Sequence, residues 1–182
     1  MALCTWKAAA QQTGVRTNAL YWLTSTPNLG VDIRIGHRST IALQGGYNPF
    51  LFPSYKKGSK DVNPKLLHWF VLPEYRYWFC RTYERWFLSA YGIYGKYNIE
   101  GVPFLGKREE RYRGMAAGGG IGAGYQWPLG KHCGIELMIG IGYLYLKYDK
   151  FAGGACGMHK ESAKRHWIGP NRIAVSFSYY IR

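Results

Sequence analysis

The stretch GMAAGGGIGAGYQWPLGKHCGIELMIGIGYLYLKYD, from Gly114 to Asp149, decides the fold. It consists of two long segments in which the residue type changes at every step, separated by the turn residues 128–131. Glycine and alanine fill alternate positions of the first segment, and Ile, Leu and Tyr fill alternate positions of the second. Successive side chains of a β-strand point to opposite faces, so this period of two predicts a β-hairpin.

The glycines of this hairpin also match the loose spacing of a phosphate-binding loop, in the run GGGIGAG at 118–124. Such a loop requires a helix that begins at the glycines. The alternation instead continues through them to Gln126 and Trp127. We therefore interpret the glycines as one face of a strand, where they leave room for other side chains to cross a narrow interior.

Further segments bring the count to about eight strands: 15–24, 28–35, 41–48, 66–79, 86–98 and 167–182. Long connections at 49–65, 99–113 and 150–166 alternate with short turns. High Tyr, Trp and Gly content favours an all-β protein. The alternation of long and short connections predicts an antiparallel up-and-down β-barrel, with one rim of short turns and one rim of long loops.

Aromatic residues near the two ends of the apolar stripes indicate which face meets lipid. Alternation alone also fits a soluble, ligand-carrying barrel, but two aromatic belts are typical of strands that cross a membrane. We expect a transmembrane barrel in a bacterial outer membrane, with an aromatic girdle formed by Trp78, Trp86, Trp127, Tyr145, Trp167 and Tyr179.

The opposite face of the strands carries charges of both signs, which must pair inside a narrow barrel because an isolated buried charge is too costly. We expect a structural ion-pair network in the lumen. The functional alternative is that the same residues form a pathway for protons or ions. An eight-stranded barrel is filled by side chains, so a general pore is not expected. The predicted network consists of Arg16, Asp32, Arg34, His68, Glu74, Arg76, Glu136 and Arg172.

The chain carries 24 Lys and Arg against 10 Asp and Glu, and much of this excess falls in the long loops. Basic loops at one rim favour contact with the phosphates and acidic sugars of lipopolysaccharide. The aromatic residues belong to strand faces rather than to these loops, so nucleic-acid binding is not expected. The predicted basic loop contacts are Lys56, Lys57, Lys107, Arg108, Arg111, Lys160, Lys164 and Arg165.

We expect residues 1–14 to form an N-terminal arm or a truncated export signal ahead of a single barrel domain at 15–182.

The third long loop contains residues that could support other chemistry. Cys156, Met158, His159 and His166 could form a metal site, and His159 with Ser162 or Glu161 could form a catalytic group. Nothing in their spacing requires either, so we expect no metal, no cofactor and no enzymatic activity.

Two runs of the chain are especially distinctive: HWFVLPEYR, residues 68–76, and YLKYD, residues 145–149. Three others are NLGVDIRIG at 28–36, GGYNPF at 45–50 and GPNRIAVSFSYYI at 169–181. Together these runs resemble the Bacteroidetes outer-membrane proteins grouped as domain of unknown function 3575. The resemblance implies a small exported β-barrel, with some members near genes for fimbriae or other surface structures. It implies no catalytic residues.

Together these observations predict a non-enzymatic outer-membrane barrel. We expect it to act as a scaffold or accessory subunit of a cell-surface assembly, fimbria-like or other. Its partners would be membrane lipid, lipopolysaccharide and a surface protein. A small lipid-modifying enzyme of the outer leaflet and a soluble ligand-carrying barrel are the alternatives.

Overall fold

The computed structural model describes residues 13–50, 55–57, 60–62, 65–100, 110–130, 132–152 and 159–181. The predicted N-terminal arm up to residue 12, Lys107, Arg108 and Cys156 lie outside these ranges. The elements are β1 (Thr13–Asn18), α1 (Ala19–Leu23), β2 (Asn28–Arg34), β3 (Ser39–Asn48), β4 (Tyr55–Lys57), β5 (Lys60–Val62), β6 (Lys65–Trp78), β7 (Arg85–Glu100), β8 (Glu110–Pro128), β9 (Cys133–Ala152) and β10 (His159–Ile181).

Eight of these strands form one closed antiparallel barrel in the order β1-β10-β9-β8-β7-β6-β3-β2. The ring closes because β1 pairs with both of its neighbours: Val15 lies opposite Val31 of β2 and Tyr179 of β10. The predicted all-β, eight-stranded, up-and-down architecture is confirmed. The remaining two strands, β4 and β5, form a small separate hairpin within the first long connection.

The first predicted strand is shorter than its sequence pattern suggests. Alternation predicts a strand over 15–24, but β1 ends at Asn18 and the helix α1 follows. The Asn18 side chain ends the strand because its Oδ1 accepts a hydrogen bond from the backbone N–H of Leu20, at 3.0 Å, and caps the helix. Across the described ranges, no helix is long and apolar enough to cross a membrane.

The last three barrel strands extend further into the predicted loops than expected. β8 begins at Glu110 and β9 runs to Ala152, while β10 already begins at His159. Arg111, Lys160, Lys164 and Arg165 therefore lie on strands and not in loops, which corrects their predicted setting. Charged residues continue the strands here because backbone pairing, which is independent of side-chain polarity, persists between β9 and β10.

The two faces of the barrel wall differ in polarity, with the polar face turned inward. Buried positions alternate with exposed ones along β2, β6 and β9. Glycines on the inner face make room for large neighbours: a Cβ at Gly30 would lie 2.9 Å from Cγ of Arg16, and one at Gly124 would collide with the Phe87 ring. The interpretation of the Gly-rich run as a strand face is confirmed, since β8 runs through it without a break.

Gly142 of β9 tests how closely the backbones of β8 and β9 approach each other. A Cβ there would strike the carbonyl oxygen of Gly119 and Cα of Gly120, which are backbone atoms that cannot rotate away. We expect Gly142→Ala to lower the free energy of unfolding by about 1–3 kcal/mol, measured by urea denaturation of the folded barrel.

The matched control for this substitution is Gly45→Ala, also on a barrel strand. A Cβ at Gly45 would have its nearest heavy atom at 3.8 Å, an ordinary contact. Equal stability losses in the two variants would contradict the steric argument.

Candidate functional site: the ion-paired interior

Six charged residues from five strands meet in the interior of the barrel. Arg16 comes from β1, Asp32 from β2, Glu74 and Arg76 from β6, Glu136 from β9 and Arg172 from β10. All six are buried, and the most accessible of them is 5% exposed. Each occupies an inward position because it has the same alternation parity as the buried residues of its strand.

Glu74 is the common partner of the three arginines. Its Oε2 accepts hydrogen bonds from Nη2 of Arg16 at 2.5 Å and from Nη2 of Arg172 at 2.9 Å. Its Oε1 lies 3.0 Å from Nε of Arg76 on the same strand. One carboxylate therefore links β1, β6 and β10, which are not all adjacent in the sheet.

Glu136 completes the network from the opposite side. Arg76 donates to both of its oxygens, at 2.6 and 2.9 Å, in the bidentate geometry that favours arginine over lysine. Arg16 lies 3.7 Å from Glu136 and also 3.7 Å from Asp32. With three arginines and three carboxylates, the formal charges of the six residues cancel.

Aromatic side chains cover the network towards the short-turn rim. Trp78 and Phe87 are fully buried and their rings pack at 4.7 Å, while the Arg76 guanidinium lies 4.7 Å from the centre of the Phe87 ring. Tyr83 folds in from the short turn and packs on Tyr180 at 4.4 Å. Burial raises the pKa of the Tyr83 hydroxyl, so it stays neutral within this apolar layer.

The Tyr83 backbone adopts an unusual conformation to reach this position. Its φ is +68°, in the left-handed region that a bulky residue rarely adopts. The neighbouring Thr82 holds the turn, because its hydroxyl donates to the carbonyl of His37 at 2.8 Å. The turn between β6 and β7 thus forms an inward-folded cover over the short-turn end.

A second aromatic layer lies towards the long-loop rim. The Arg172 guanidinium stacks 4.8 Å from the centre of the Tyr91 ring, and Tyr91 donates to Oδ1 of Asn171 at 2.5 Å. The helix α1 places Tyr21 against Phe70, with ring centres 4.7 Å apart. The ionic layer is therefore flanked by aromatic rings on both sides.

Two of the eight residues predicted for the network lie apart from it. Arg34 is half-buried at the end of β2, where its Nε donates to the carbonyl of Gly36 at 3.0 Å. His68 is half-buried near the other rim, and its Nε2 lies 3.2 Å from the hydroxyl of Thr26. Both have inward parity, but they sit too close to the strand ends to reach the central carboxylates.

The structure places the residues predicted for the aromatic girdle on different faces of the wall. Trp86, Trp127 and Tyr179 are exposed on the outer face, and Tyr145 shares that face against the ring of His166. Trp78 was predicted for the girdle and is instead fully buried, where its Nε1 donates to the Thr40 hydroxyl at 3.1 Å. The reason is parity, since Trp78 alternates with Glu74 and Arg76 on the inner face.

Trp167 is the second correction to the girdle. It lies opposite Leu144, and paired residues of an antiparallel ladder share a face, which here is the inner face that carries Glu136. A bulge between Pro170 and Arg172 inserts one extra residue and reverses the alternation of β10. Ile168 therefore faces outward in its place and is 82% exposed.

The structure describes only part of the alternative chemistry predicted for the third loop. The Ser162 hydroxyl donates to Asp149 at 2.5 Å, and Nδ1 of His166 lies 2.5 Å from the Tyr143 hydroxyl. The side chains of His159 and Glu161, and residues Cys156 and Met158, lie outside the described part of the chain. Among described residues, no group of three or more His, Cys, Asp or Glu is placed to hold a metal ion.

The sequence pattern does not identify several interior residues. Tyr83 lies between the predicted strands 66–79 and 86–98, and Phe87, Tyr21 and Tyr180 lie within predicted strands, but none of them is predicted to cover the ionic network. Only the alternation of β7 could have revealed Phe87, because it shares a face with the buried Ser89 and Tyr91.

The fold and interior define a class of protein: a closed antiparallel eight-stranded barrel with an ion-paired core and an apolar exterior. Within that class, the chain belongs to the family described as "Protein of unknown function (DUF3575)", whose model matches residues 1–181. No curated protein and no solved structure gives a significant match.

Glu74→Gln tests the network, because it keeps the side-chain shape but leaves three buried arginines with two carboxylates. We expect the free energy of unfolding to fall by about 3–5 kcal/mol, the typical cost of breaking a buried pair. Glu84→Gln, in the half-exposed short turn, is the control and should change stability by less than about 0.5 kcal/mol. A similar loss in both would show that Glu74 does not organise the interior.

Trp78→Ala and Trp86→Ala separate the inner from the outer aromatic residues. Trp78 is fully buried and its removal leaves a cavity, for which we expect a loss of about 3–5 kcal/mol. Trp86 is 58% exposed and packs against Tyr125, so its loss should cost about 1 kcal/mol. Thermal unfolding in one detergent measures both, and a reversed order would contradict the assigned faces.

Proposed function

We propose that this barrel spans the outer membrane of a bacterium as a non-enzymatic scaffold or accessory subunit of a cell-surface assembly. The observation that carries the proposal is the reversed polarity of the wall, with charges inside and large apolar side chains outside. A soluble barrel has the opposite arrangement, because its apolar face must be removed from water.

The outer face supports the membrane setting. Large apolar side chains are exposed along the described strands on this face, including Ile121 at 65% and Ile139 and Ile141 at 57% each. Contiguous apolar surface of this extent marks an interface with a membrane or another protein. Exposed Trp86, Trp127 and Tyr179 near the short turns and Tyr47 near the long loops fit the aromatic belts of such barrels.

The interior supports a role without transport or ligand storage. Its centre is occupied by six paired charges between two aromatic layers, so a passage wide enough for solutes is closed. The soluble ligand carrier therefore has less support than the membrane scaffold. The catalytic alternative depends on His159 and Glu161, whose side chains lie outside the described part of the chain.

The long-loop rim supplies the surface for a partner. Lys164 and Arg165 are exposed on β10 close to that rim, and like the other basic residues there they would attract anionic sugars or an acidic protein surface. With the interior closed, the surface contacts of the protein fall on this rim and on the outer wall.

Membrane integration is tested with the full chain folded into liposomes. We expect it to float with the vesicles after a high-salt and carbonate wash, and to migrate as a compact band that is lost only on boiling. Recovery of a folded protein in buffer without detergent would overturn the proposal.

The scaffold role is tested by purification from native membranes in a mild detergent. We expect a surface protein or lipopolysaccharide to co-purify, and the variant Lys164→Glu with Arg165→Glu to reduce its yield about tenfold. Arg38→Glu with Arg81→Glu makes the same charge change at the opposite rim and should leave the yield unchanged. Recovery of a lone barrel would contradict the accessory role.

A further inference from the structure

A groove of about 680 Å³ lies along the barrel wall near the long-loop rim, across β3, β6, β7, β8 and β9. The lining combines apolar and cationic side chains on neighbouring strands. Trp69 and Met115 are half-buried there, whereas Lys96, Arg113 and Lys147 are exposed.

The strand register explains why the cations surround one point. Lys96 of β7 lies opposite Met115 of β8, and Met115 lies opposite Lys147 of β9. Adjacent strands are about 4.8 Å apart, so the two lysine backbones are separated by roughly 10 Å with Met115 between them. Arg113 lies two residues from Met115 on the same face, which adds a third cation.

The balance of charge in the groove is positive. Asp149 is the one carboxylate among the described lining residues, and its Oδ1 accepts a hydrogen bond from Ser162 at 2.5 Å. Three cations against one carboxylate leave a formal charge of +2. Within the described chain, Lys96, Arg113 and Lys147 form no ion pair, so their charge is available to a ligand.

Four of these strands, β6 to β9, carry an apolar depression further towards the short turns. It has a volume of about 500 Å³ and is lined by Tyr75, Leu88, Ala90, Ile121, Ile139 and Ile141 among others. Ile121 lies six positions after Met115, which is roughly 20 Å along a strand. A cationic end and an apolar end are thus spaced by about the length of a lipid chain.

We propose that the groove around Met115 binds the phosphate-bearing headgroup of an anionic lipid, whose acyl chain lies along the wall towards this depression. The inference deepens the proposed function, because it rests on an outer wall that faces lipid. Charge complementarity selects an anion, since three cations converge without pairing. The apolar trough on the same wall selects an amphiphile over a free anion.

The experiment uses the full chain, folded in neutral maltoside micelles and labelled with ¹³C at the methionine methyl groups. The Met115 methyl reports on the groove, and the Met138 methyl, fully buried beside the ion-paired core, is the internal control. Dihexanoyl phosphatidic acid is the probe. We expect the Met115 resonance to shift saturably and the Met138 resonance to stay in place.

Three further titrations define the ligand class. Dihexanoyl phosphatidylcholine has the same chains with a zwitterionic head, inorganic phosphate has no chain, and a polyglutamate peptide is an acidic macromolecule. Each should bind at least about tenfold more weakly than phosphatidic acid. Equal affinity for phosphatidylcholine, phosphate or polyglutamate would overturn the assignment to an anionic lipid.

The double variant Lys96→Gln with Lys147→Gln should weaken phosphatidic acid binding by roughly tenfold or more, and Lys96→Arg with Lys147→Arg should retain it. Arg38→Gln with Arg81→Gln, at the opposite rim, is the charge-matched control and should bind like the unaltered chain. An unchanged affinity in the lysine-to-glutamine variant would overturn the site.

Failure of this inference is distinguishable from failure of the proposed function. A barrel that floats with liposomes but shows no Met115 shift would refute the lipid site and leave the membrane scaffold intact. A chain that fails to integrate into liposomes would refute the membrane proposal itself.

Discussion

The contact between Glu74 and three arginines is the interaction on which the rest of the barrel depends. An arginine in a narrow interior is tolerated only when a carboxylate meets it, because desolvation of an unpaired charge costs far more than the fold can supply. Glu74 satisfies this condition for β1, β6 and β10 together. A slip of one residue in any of these strands would turn its charge to the outside and leave the partners unpaired. The network therefore specifies the register of the barrel.

Glycines on the inner face of the wall provide the room that these large inner side chains need. Gly30 lies beneath Arg16 and Gly124 beneath Phe87, each on the adjacent strand, and Gly140 lies beneath the Tyr91 ring, which reaches it across β8. The aromatic rings then cover the ionic layer from both ends, which lowers its contact with water and strengthens its electrostatic attraction. Packing of this kind closes the interior and leaves the outer wall and the rims as the surfaces available for recognition.

The polarity of the wall connects this interior to function. Because every inward charge requires an alternating outward neighbour, the same pattern that builds the network also produces a band of Ile, Leu, Val and aromatic residues on the exterior. Near the long-loop rim the outward residues become Lys96, Lys147 and Lys164, since the strands continue beyond the apolar band. The groove around Met115 lies at this boundary, where an anionic headgroup and its chain would each meet a suitable surface.

The sequence by itself determined the eight strands, the faces of most of them and their antiparallel order. It also predicted the inward position of six residues that the network contains. These features follow from alternation, because a strand repeats every two residues and that signal is local. The tertiary structure alone decided what depends on distant partners. The Asn18 cap turned a predicted strand end into α1, one inserted residue near Pro170 turned Trp167 to the inner face of β10, where it is 40% exposed, and Tyr83 reached the interior through a backbone conformation that no pattern reveals. The meeting of Lys96 and Lys147 around Met115 likewise arises from register across three strands, which residues far apart in sequence establish only when the barrel closes.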